Sequence, residues 1–375
     1  METGPVNVLF GPNGAGKSSF LDTLWFVRDC AIRSVELASS ARSHGIGVLY
    51  DGANEGDPIS IALSTGQAEY QLMFGLSSGR IEPFAGERLQ SLTRNVTLIE
   101  RTMGSDKASF YHANMRETVA VTLREPQKLS VGRYLDFQEE VEEADQLDRL
   151  MHFVHFHHTR SFYFYKIKNQ GSEVGHEMWL WERGEYVWSV LRNLHDRMSL
   201  DSRYDTIMAF MGEAFPAFDG LSLEQTGPSV VYASFLEKGR RKPIRASGVS
   251  DGHLQMLLIL TALFSEGQNR DSLMLLDEPE ISLHPWALAV LAKAVKHAAD
   301  EWSKQVFIAT HSPVLISQFE PAQVLATEVA DGRTCLRRLS EIAELKDLLE
   351  QYTPGSLYMA EAVAAQGRPV RQGGA

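Results

Sequence analysis

Residues 11–19 read GPNGAGKSS and directly follow the short apolar run VNVLF at residues 6–10. The stretch fits the pattern G-x-x-x-x-G-K-[ST], in which glycines let successive backbone N–H groups converge on phosphate oxygens. VNVLF predicts a short buried strand, and SSFLDTLWFVRDCAI from residue 18 predicts a helix. A glycine-rich turn without a function is the alternative, but the strand and helix on either side favour a phosphate-binding loop.

This loop supplies most of the predicted binding residues. The start of the following helix attracts anions, Lys17 reaches the β- and γ-phosphate oxygens, and Ser18 is a predicted magnesium ligand. The sequence therefore predicts a bound nucleotide and Mg²⁺, with the nucleotide held by Gly11, Pro12, Asn13, Gly14, Ala15, Gly16, Lys17, Ser18 and Ser19.

A second candidate stretch, LMLLDEPE at residues 273–280, ends an apolar run in acidic residues. Four apolar residues predict a buried parallel strand with Asp277 at its exposed end, where ligands bind in open α/β sheets. Asp277 is the second predicted magnesium ligand, and Glu278 is predicted to polarise the attacking water. An acidic pair after a strand can also be a helix N-cap, but the phosphate loop favours the catalytic interpretation.

A third strand is predicted from VFIATHSP at residues 306–313, and it places His311 at its end. A neutral imidazole there could donate a hydrogen bond to the γ-phosphate. A lone histidine is more often structural, but the shared position at strand ends favours a functional role. The predicted catalytic residues are therefore Lys17, Glu278 and His311.

The remaining sequence suggests four segments. Alternation at Ile59, Ile61 and Leu63, and again at Tyr70, Leu72 and Phe74, predicts an antiparallel hairpin across the TGQ turn. We predict an N-terminal lobe at residues 1–88, a mixed but mainly helical insertion at 89–239, a C-terminal lobe at 240–345, and a helix with a flexible tail at 346–375.

Composition excludes several classes of protein. The 375 residues are 44% hydrophobic and 22% charged, which is typical of a globular protein. The net charge of -12 argues against a protein coated in nucleic acid. No apolar run is long enough for a bilayer and no signal peptide precedes the loop, so we expect a cytoplasmic protein without a membrane partner. Two distant cysteines, Cys30 and Cys335, exclude a cysteine-based zinc site.

Two further groups of residues have a plainer interpretation. The basic residues Lys238, Arg240, Arg241, Lys242 and Arg245 could contact nucleic acid, but such a run is more often a solvated loop. The stretch MHFVHFHHTR suggests a metal site, yet strand alternation separates its histidines and no acidic or cysteine ligand lies at a useful spacing. We interpret as structural the four residues His152, His155, His157 and His158.

Taken in this order, the motifs resemble those of the ATP-binding cassette ATPases. Within them they are most similar to the RecF/SMC-like branch, which includes the ATPase half of OLD nucleases and the AAA family ATPases of the AAA_21 or AAA_15 type. LDEPEISLHP at residues 276–285 resembles the extended acidic motif of that branch, and ASGVSDGHLQMLLIL at residues 246–260 resembles its signature motif. The resemblance covers about residues 6–84 and 245–340.

The resemblance implies further site residues. Ser250 and Gly252 would meet the γ-phosphate of ATP bound to another protomer, although the same stretch also reads as an ordinary serine N-cap. Arg160 would lie near the nucleotide. The glutamine that such ATPases use to sense nucleotide is not placed, since Gln67 lies in the hairpin turn and Gln127 in a loop.

The fold class implied is α/β: a P-loop NTPase of the ABC ATPase-head type, with a mixed sheet, an antiparallel β subdomain and a largely helical insertion. The implied activity is ATP hydrolysis by a homodimer that closes on ATP and gates a separate effector, a nuclease or toxin, in anti-phage defence or a DNA-related assembly. No Toprim-like acidic cluster follows residue 313, so the effector would be another chain. The alternatives are a RecF-like DNA repair ATPase that binds duplex DNA and, more remotely, a transporter ATPase subunit.

Overall fold

The computed structural model describes residues 2–42, 56–138, 141–266, 271–330 and 332–364. Its contacts group the chain into a first unit, Met1–Leu21 with His155–Ala375, and a second unit, Asp22–Val154. The strands are β1 (Val6–Phe10), β2 (Ile59–Ser64), β3 (Ala68–Phe74), β4 (Leu76–Ser77), β5 (Arg80–Ile81), β6 (Gly86–Ser91), β7 (Val96–Arg101), β8 (Lys107–His112), β9 (Glu117–Thr122), β10 (Val154–His158), β11 (Ser172–Glu173), β12 (Phe218–Gln225), β13 (Val230–Glu237), β14 (Ile244–Arg245), β15 (Ser272–Asp277), β16 (Lys304–Thr310), β17 (Val324–Ala330) and β18 (Arg333–Arg338). The helices are α1 (Lys17–Ile32), α2 (Val35–Ser40), α3 (Ser130–Phe137), α4 (Glu142–His152), α5 (Phe164–Asn169), α6 (Val187–His195), α7 (Arg203–Ala214), α8 (Asp251–Phe264), α9 (Pro285–Glu301), α10 (Pro313–Ile316), α11 (Lys346–Leu349) and α12 (Pro354–Met359).

The first unit is built on a mixed sheet with the strand order β10-β15-β16-β1-β17-β18. β1 runs parallel to both β16 and β17, and only β18 is antiparallel to its neighbour among the pairs recorded for this sheet. Every residue of β1 and β15 is buried, as expected of continuous apolar strands covered on both faces. The strands that the sequence predicted at VNVLF, LMLLD and VFIAT are therefore confirmed.

The register of these strands brings three strand ends to the same edge of the sheet. Phe10 lies opposite Thr310, and Asp277 lies opposite Ala309. Because β1, β15 and β16 are parallel, the segments that follow them leave the sheet on the same side. This edge is where the sequence placed its candidate residues.

Helices α8 and α9 carry the rest of this core. Every residue of α8 from Leu254 to Phe264 is buried, and α9 buries one face through a spaced series of alanine, leucine and valine residues. A small antiparallel sheet, in the order β11-β13-β12 with β14 on β13, also belongs to this unit. Among the described residues, the structure has no helix both long and apolar enough to span a membrane.

The second unit contains an antiparallel sheet in the order β2-β3-β6-β7-β8-β9. The predicted hairpin is confirmed: Ile61 pairs with Leu72, and Leu63 pairs with Tyr70. In β3 the alternation is strict, with Tyr70, Leu72 and Phe74 buried. This face packs on helices α3 and α4 of the same unit.

The predicted boundary at residue 88 falls inside a strand. β6 spans Gly86–Ser91, pairs with β3 and β7, and the sheet continues to Thr122. The segment 89–239 is thus not mainly helical, because its first part completes the antiparallel sheet. At the C-terminal end the structure has the short helices α11 and α12, and residues 365–375 of the predicted tail lie outside the described residues.

A side chain at residue 11 would clash with a neighbouring strand, and Gly14 offers a comparison without such a clash. A Cβ at residue 11 would lie 2.1 Å from the backbone oxygen of Thr327, whereas at Gly14, with φ of 77°, no described atom outside its neighbours lies within 4 Å. We expect Gly11→Ala to lower the free energy of unfolding by about 3 kcal/mol, because β1 and β17 must separate. Gly14→Ala should lower it by about 1 kcal/mol, the cost of a left-handed alanine. Urea denaturation without nucleotide measures both, and equal losses would contradict the clash.

Candidate functional site

The phosphate loop joins β1 to α1 at the sheet edge. Gly11, Gly14 and Gly16 have positive φ angles of 154°, 77° and 93°. A Cβ at Gly16 would also lie 2.2 Å from the Thr334 hydroxyl oxygen, so the third glycine is required by a close neighbour as well as by its backbone. The helix then begins at Lys17, and its N-terminus faces the loop as an anion site requires.

Lys17 is held inside this loop. Its Nζ donates hydrogen bonds to the carbonyl oxygens of Gly11 and Pro12, each at 2.9 Å, and the residue is only 5% exposed. Burial lowers the pKa of Lys17 to about 8, although the carboxylates of Asp277, Glu278 and Glu280 act in the opposite direction. A buried ammonium whose two observed hydrogen-bond acceptors are neutral carbonyls is suited to receive anionic phosphate oxygens.

Ser18 and Asp277 meet directly. The Ser18 hydroxyl donates to Asp277 Oδ1 at 3.1 Å, across 259 residues of sequence. A hydroxyl and a carboxylate side by side are hard oxygen ligands of the kind that Mg²⁺ binds together with phosphate and water. The residues present therefore fit the predicted magnesium ion.

The other oxygen of Asp277 has a partner that the sequence did not reveal. His158 Nδ1 lies 3.0 Å from Asp277 Oδ2, and this carboxylate raises the pKa of His158. His158 ends β10, at the edge of the sheet where β15 is its neighbour.

Glu278 lies in a strained backbone conformation. Its φ is 51°, in the left-handed region that a glutamate rarely adopts. Its N–H donates to Ala309 O at 2.8 Å, and the Thr159 hydroxyl donates to the carbonyls of Asp277 and Glu278 at 3.0 and 2.6 Å. Strain of this kind persists only when surrounding contacts fix the backbone, and it is concentrated at functional sites.

Two side chains lie beside the Glu278 carboxylate, the cationic Arg160 and the titratable His311. Arg160 forms an ion pair with it, and His311 Nε2 lies 4.0 Å from Glu278 Oε1. Burial lowers the pKa of His311, so the imidazole is neutral near pH 7. The backbone N–H of His311 donates to Glu280 Oε1 at 2.8 Å, which ties the two strand ends together. Burial raises the pKa of Glu280.

Ser250 and Gly252 lie at the start of α8. Ser250 is exposed and is the N-cap of the helix, and its Oγ lies 2.7 Å from His253 Nδ1. A Cβ at Gly252 would lie 2.5 Å from Ser282 O, so a packing requirement alone accounts for this glycine. The N-cap interpretation is thus satisfied, and the role of both residues at another protomer's phosphate stays a prediction.

The histidine run does not form a metal site. His152 ends helix α4 and is not part of the strand, contrary to the alternation that we assumed. His155 Nε2 lies 2.8 Å from Glu266, and burial lowers the pKa of His157 to about 3. Over the described ranges, no group of three histidine, cysteine or acidic residues could hold a metal ion.

The basic residues after β13 are partly engaged by the protein itself. Lys238 Nζ donates to Pro216 O at 2.9 Å, and Arg240 lies 3.5 Å from Glu237. The solvated-loop interpretation accounts for these two contacts.

Comparison with known proteins decides the family. The model of the AAA_21 family, described as "AAA domain, putative AbiEii toxin, Type IV TA system", matches residues 6–98 and 103–317. The chain belongs to this family. The AAA_21 match includes the phosphate loop, the acidic residues after β15, and His311. It confirms the predicted resemblance to P-loop ATPases, and together with the mixed sheet it confirms the predicted α/β P-loop fold class.

Other similarities of this AAA_21 chain are shorter or more distant. Protein ea59 of Escherichia phage lambda is 36% identical over 70 residues, which cover 19% of this chain and 13% of that protein's length. The SMC head in the crystal structure "SmcHead bound to the C-winged helix domain of ScpA" is 12% identical, with 92% of this chain and 94% of that chain covered and a TM-score of 0.48. The SMC head domain from Thermotoga maritima is 13% identical, with 90% of this chain and 92% of that chain covered and a TM-score of 0.39.

Proposed function

We propose that this AAA_21 chain binds ATP with Mg²⁺ and hydrolyses it to ADP and phosphate. The observation that carries the proposal is the Ser18–Asp277 contact of 3.1 Å, which joins the phosphate loop to the acidic strand end immediately before Glu278. Phosphoryl transfer needs positioning, charge neutralisation and an oriented water, and these residues can supply all three.

Lys17 and the loop bind and orient the phosphates. The Lys17 ammonium exchanges its two carbonyl partners for phosphate oxygens, and the backbone of residues 11–19 surrounds the chain of phosphates. Ser18 and Asp277 would hold Mg²⁺, and the bound ion would neutralise charge on the phosphate oxygens.

Glu278 and His311 act on the water and the terminal phosphate. The Glu278 carboxylate accepts a hydrogen bond from the attacking water and orients it, while the neutral His311 imidazole donates to the γ-phosphate. Arg160 pairs with Glu278, so this carboxylate must share its oxygens between the guanidinium and the water. Thr159 keeps the backbone of residue 278 in the conformation that aims the side chain.

Hydrolysis is tested with the purified chain. We expect the chain to release phosphate from ATP in the presence of Mg²⁺ and to stop when EDTA is added. Asp277→Asn should lower the rate of phosphate release at least tenfold, because the metal loses an anionic ligand. Asp300→Asn is the matched control, since Asp300 is an exposed aspartate on α9. Calorimetry showing no binding of Mg²⁺–ATP to the wild-type chain would overturn the proposal.

We further propose that two copies close on ATP, with Ser250 and Gly252 of one copy facing the γ-phosphate held by the other. The exposed Ser250 and Asp251 at the start of α8 support this, because they are accessible to a second copy. Loss of the γ-phosphate on hydrolysis removes the contact between copies, so the dimer opens.

We propose that this cycle gates a separate effector, a nuclease or toxin, in an anti-phage or DNA-related assembly. The family description, which names a toxin and a toxin–antitoxin system, supports an effector-linked role. The test is affinity purification of Glu278→Gln from its native cell in ATP and Mg²⁺, with Lys17→Ala as the control. A nuclease or toxin whose activity changes with ATP supports the proposal, whereas recovery only of a dimer on duplex DNA supports a repair ATPase instead.

A further inference from the structure

Helix α5 contacts the start of the signature stretch through one lysine. Lys168 Nζ donates a hydrogen bond to Val249 O at 2.8 Å and forms an ion pair with the Asp251 carboxylate. The side chain of Lys168 is only 17% exposed. Val249 and Asp251 are the two neighbours of Ser250 in sequence, so a single ammonium holds the chain on both sides of the signature serine.

The base from which this ammonium extends is fixed. Ile167 is fully buried, and its carbonyl accepts a hydrogen bond from Trp188 Nε1 at 2.9 Å. The carbonyl of Lys168 accepts a hydrogen bond from the Tyr232 hydroxyl. Because the backbone at Lys168 is fixed, its side chain loses less entropy when the ammonium is bound. The contacts of this ammonium with Val249 and Asp251 therefore hold residues 249–251 in place.

Ser250 is held from its other side by His253. The Ser250 Oγ lies 2.7 Å from His253 Nδ1, and the His253 ring stacks on Phe215 with ring centroids 3.8 Å apart. The serine side chain is therefore oriented by His253, and its backbone by Lys168.

The charge of Lys168 has opposite effects on two helices, since it lies in the last turn of α5, where a cation is favourable, and beside the N-terminus of α8. A cation beside a helix N-terminus opposes the helix dipole, and helices more often have acidic residues there. Asp251 in the first turn compensates for this charge.

We propose that Lys168 is a positioning residue, which places Ser250 for the phosphates of ATP held by a second copy of the chain. This inference rests on the proposed ATP-driven dimer. Lys168 acts through Val249 and Asp251 and does not contact the nucleotide of its own protomer.

The first test compares two lysines on one helix. We expect Lys168→Met to lower kcat by about 10- to 100-fold, since a serine displaced by about 1 Å loses its alignment with the phosphate. The affinity of the monomer for ATP should stay within twofold of wild type, because the phosphate loop is untouched. Lys166→Met should leave both quantities unchanged, and Lys168→Arg should recover part of kcat.

The second test asks in which copy Lys168 acts. Lys168→Met and Glu278→Gln chains are mixed before ATP is added, and each alone has low activity. In a mixed dimer, the Lys168→Met copy supplies an intact Glu278 and the Glu278→Gln copy supplies an intact signature stretch, so one site is complete. In a single turnover, which does not require the dimer to reopen, random mixing should release about a quarter of the phosphate that wild type releases, because half of the dimers are mixed and each has one complete site.

The outcomes separate this inference from the proposed function. Recovery on mixing supports positioning across the dimer. No recovery means that Lys168 acts on its own protomer's nucleotide, and the inference is wrong. If the wild-type chain neither hydrolyses ATP nor dimerises with it, the proposed function itself fails before either variant is compared.

Discussion

Glu278→Gln is expected to slow ATP hydrolysis by about 10²- to 10⁴-fold, the usual contribution of a positioned general base. Glutamine keeps the shape of the side chain but cannot accept a proton from water. The ion pair of Glu278 with Arg160 would be lost as well, yet the loop that holds the phosphates is unchanged. ATP affinity should therefore stay close to that of wild type, and phosphate release measured in single turnover separates the two quantities.

The same variant should hold the dimer closed. Because the γ-phosphate persists, light scattering should show a stable dimer with ATP and a monomer with ADP. Glu301→Gln, an exposed glutamate at the end of α9, is the matched control and should behave as wild type. Equal dimerisation of Glu278→Gln with ATP and with ADP would contradict the switch.

Lys17→Ala is the second large effect and acts on binding. A charge-assisted hydrogen bond contributes about 1.5–3 kcal/mol, so ATP affinity should fall by about 10- to 100-fold. Calorimetric titration with Mg²⁺–ATP measures this loss. Lys293→Ala on α9, whose lysine is exposed and paired with Glu213, provides the control. If Lys17→Ala has the ATP affinity of wild type, the Lys17 ammonium of the wild-type chain does not leave its carbonyl partners to bind phosphate.

The pKa of Lys17 gives this binding a pH dependence of known sign. In the protein without ATP, burial lowers the pKa of Lys17 to about 8. Phosphate binding favours the charged ammonium, so the pKa of Lys17 must be higher in the complex with ATP. ATP affinity of wild type should be constant below pH 8 and fall by up to about tenfold per pH unit above it, with proton uptake on binding. Lys17→Ala should lack this dependence.

Short patterns around the phosphate loop and the strand ends beside it were sufficient to predict much of the first unit. VNVLF, LMLLD and VFIAT are continuous apolar runs, and each forms the fully buried strand that such runs favour. Sequence alone also places Asp277 and His311 at strand ends, and Lys17 at the end of the loop that follows β1.

The antiparallel sheet was harder to recognise because charged residues interrupt its apolar pattern. Glu87 and Arg101 have side chains with no exposed area and pair at 3.0 Å inside the second unit. Tyr70 and Ser130 also donate to the Glu87 carboxylate, at 2.6 and 2.7 Å. A buried, satisfied ion pair looks like a surface position in sequence, and the predicted boundary at residue 88 divided β6 and left β7 in the insertion.

The rest of the site depends on contacts between distant segments. Thr159 reaches the carbonyl of Glu278 over 119 residues, and Lys168 reaches Val249 over 81 residues. Nothing in the spacing of these residues indicates that they meet. His158 ends β10 and Thr159 follows it, and this position at a strand end is the signal that could have identified them. The neighbour of β10 in the sheet is known only from the fold.

The strand order also determines when the phosphate loop can form during synthesis. β1 lies between β16 and β17, so its two neighbours are the segments Lys304–Thr310 and Val324–Ala330. On a ribosome, β1 therefore has neither neighbour until residues 304–330 have been made, whereas Asp22–Val154 is made earlier. Domains generally fold as units as they emerge, and pairing of distant strands is slow. A nascent chain can therefore fix the phosphate loop in its sheet only after both neighbouring strands of β1 have been made.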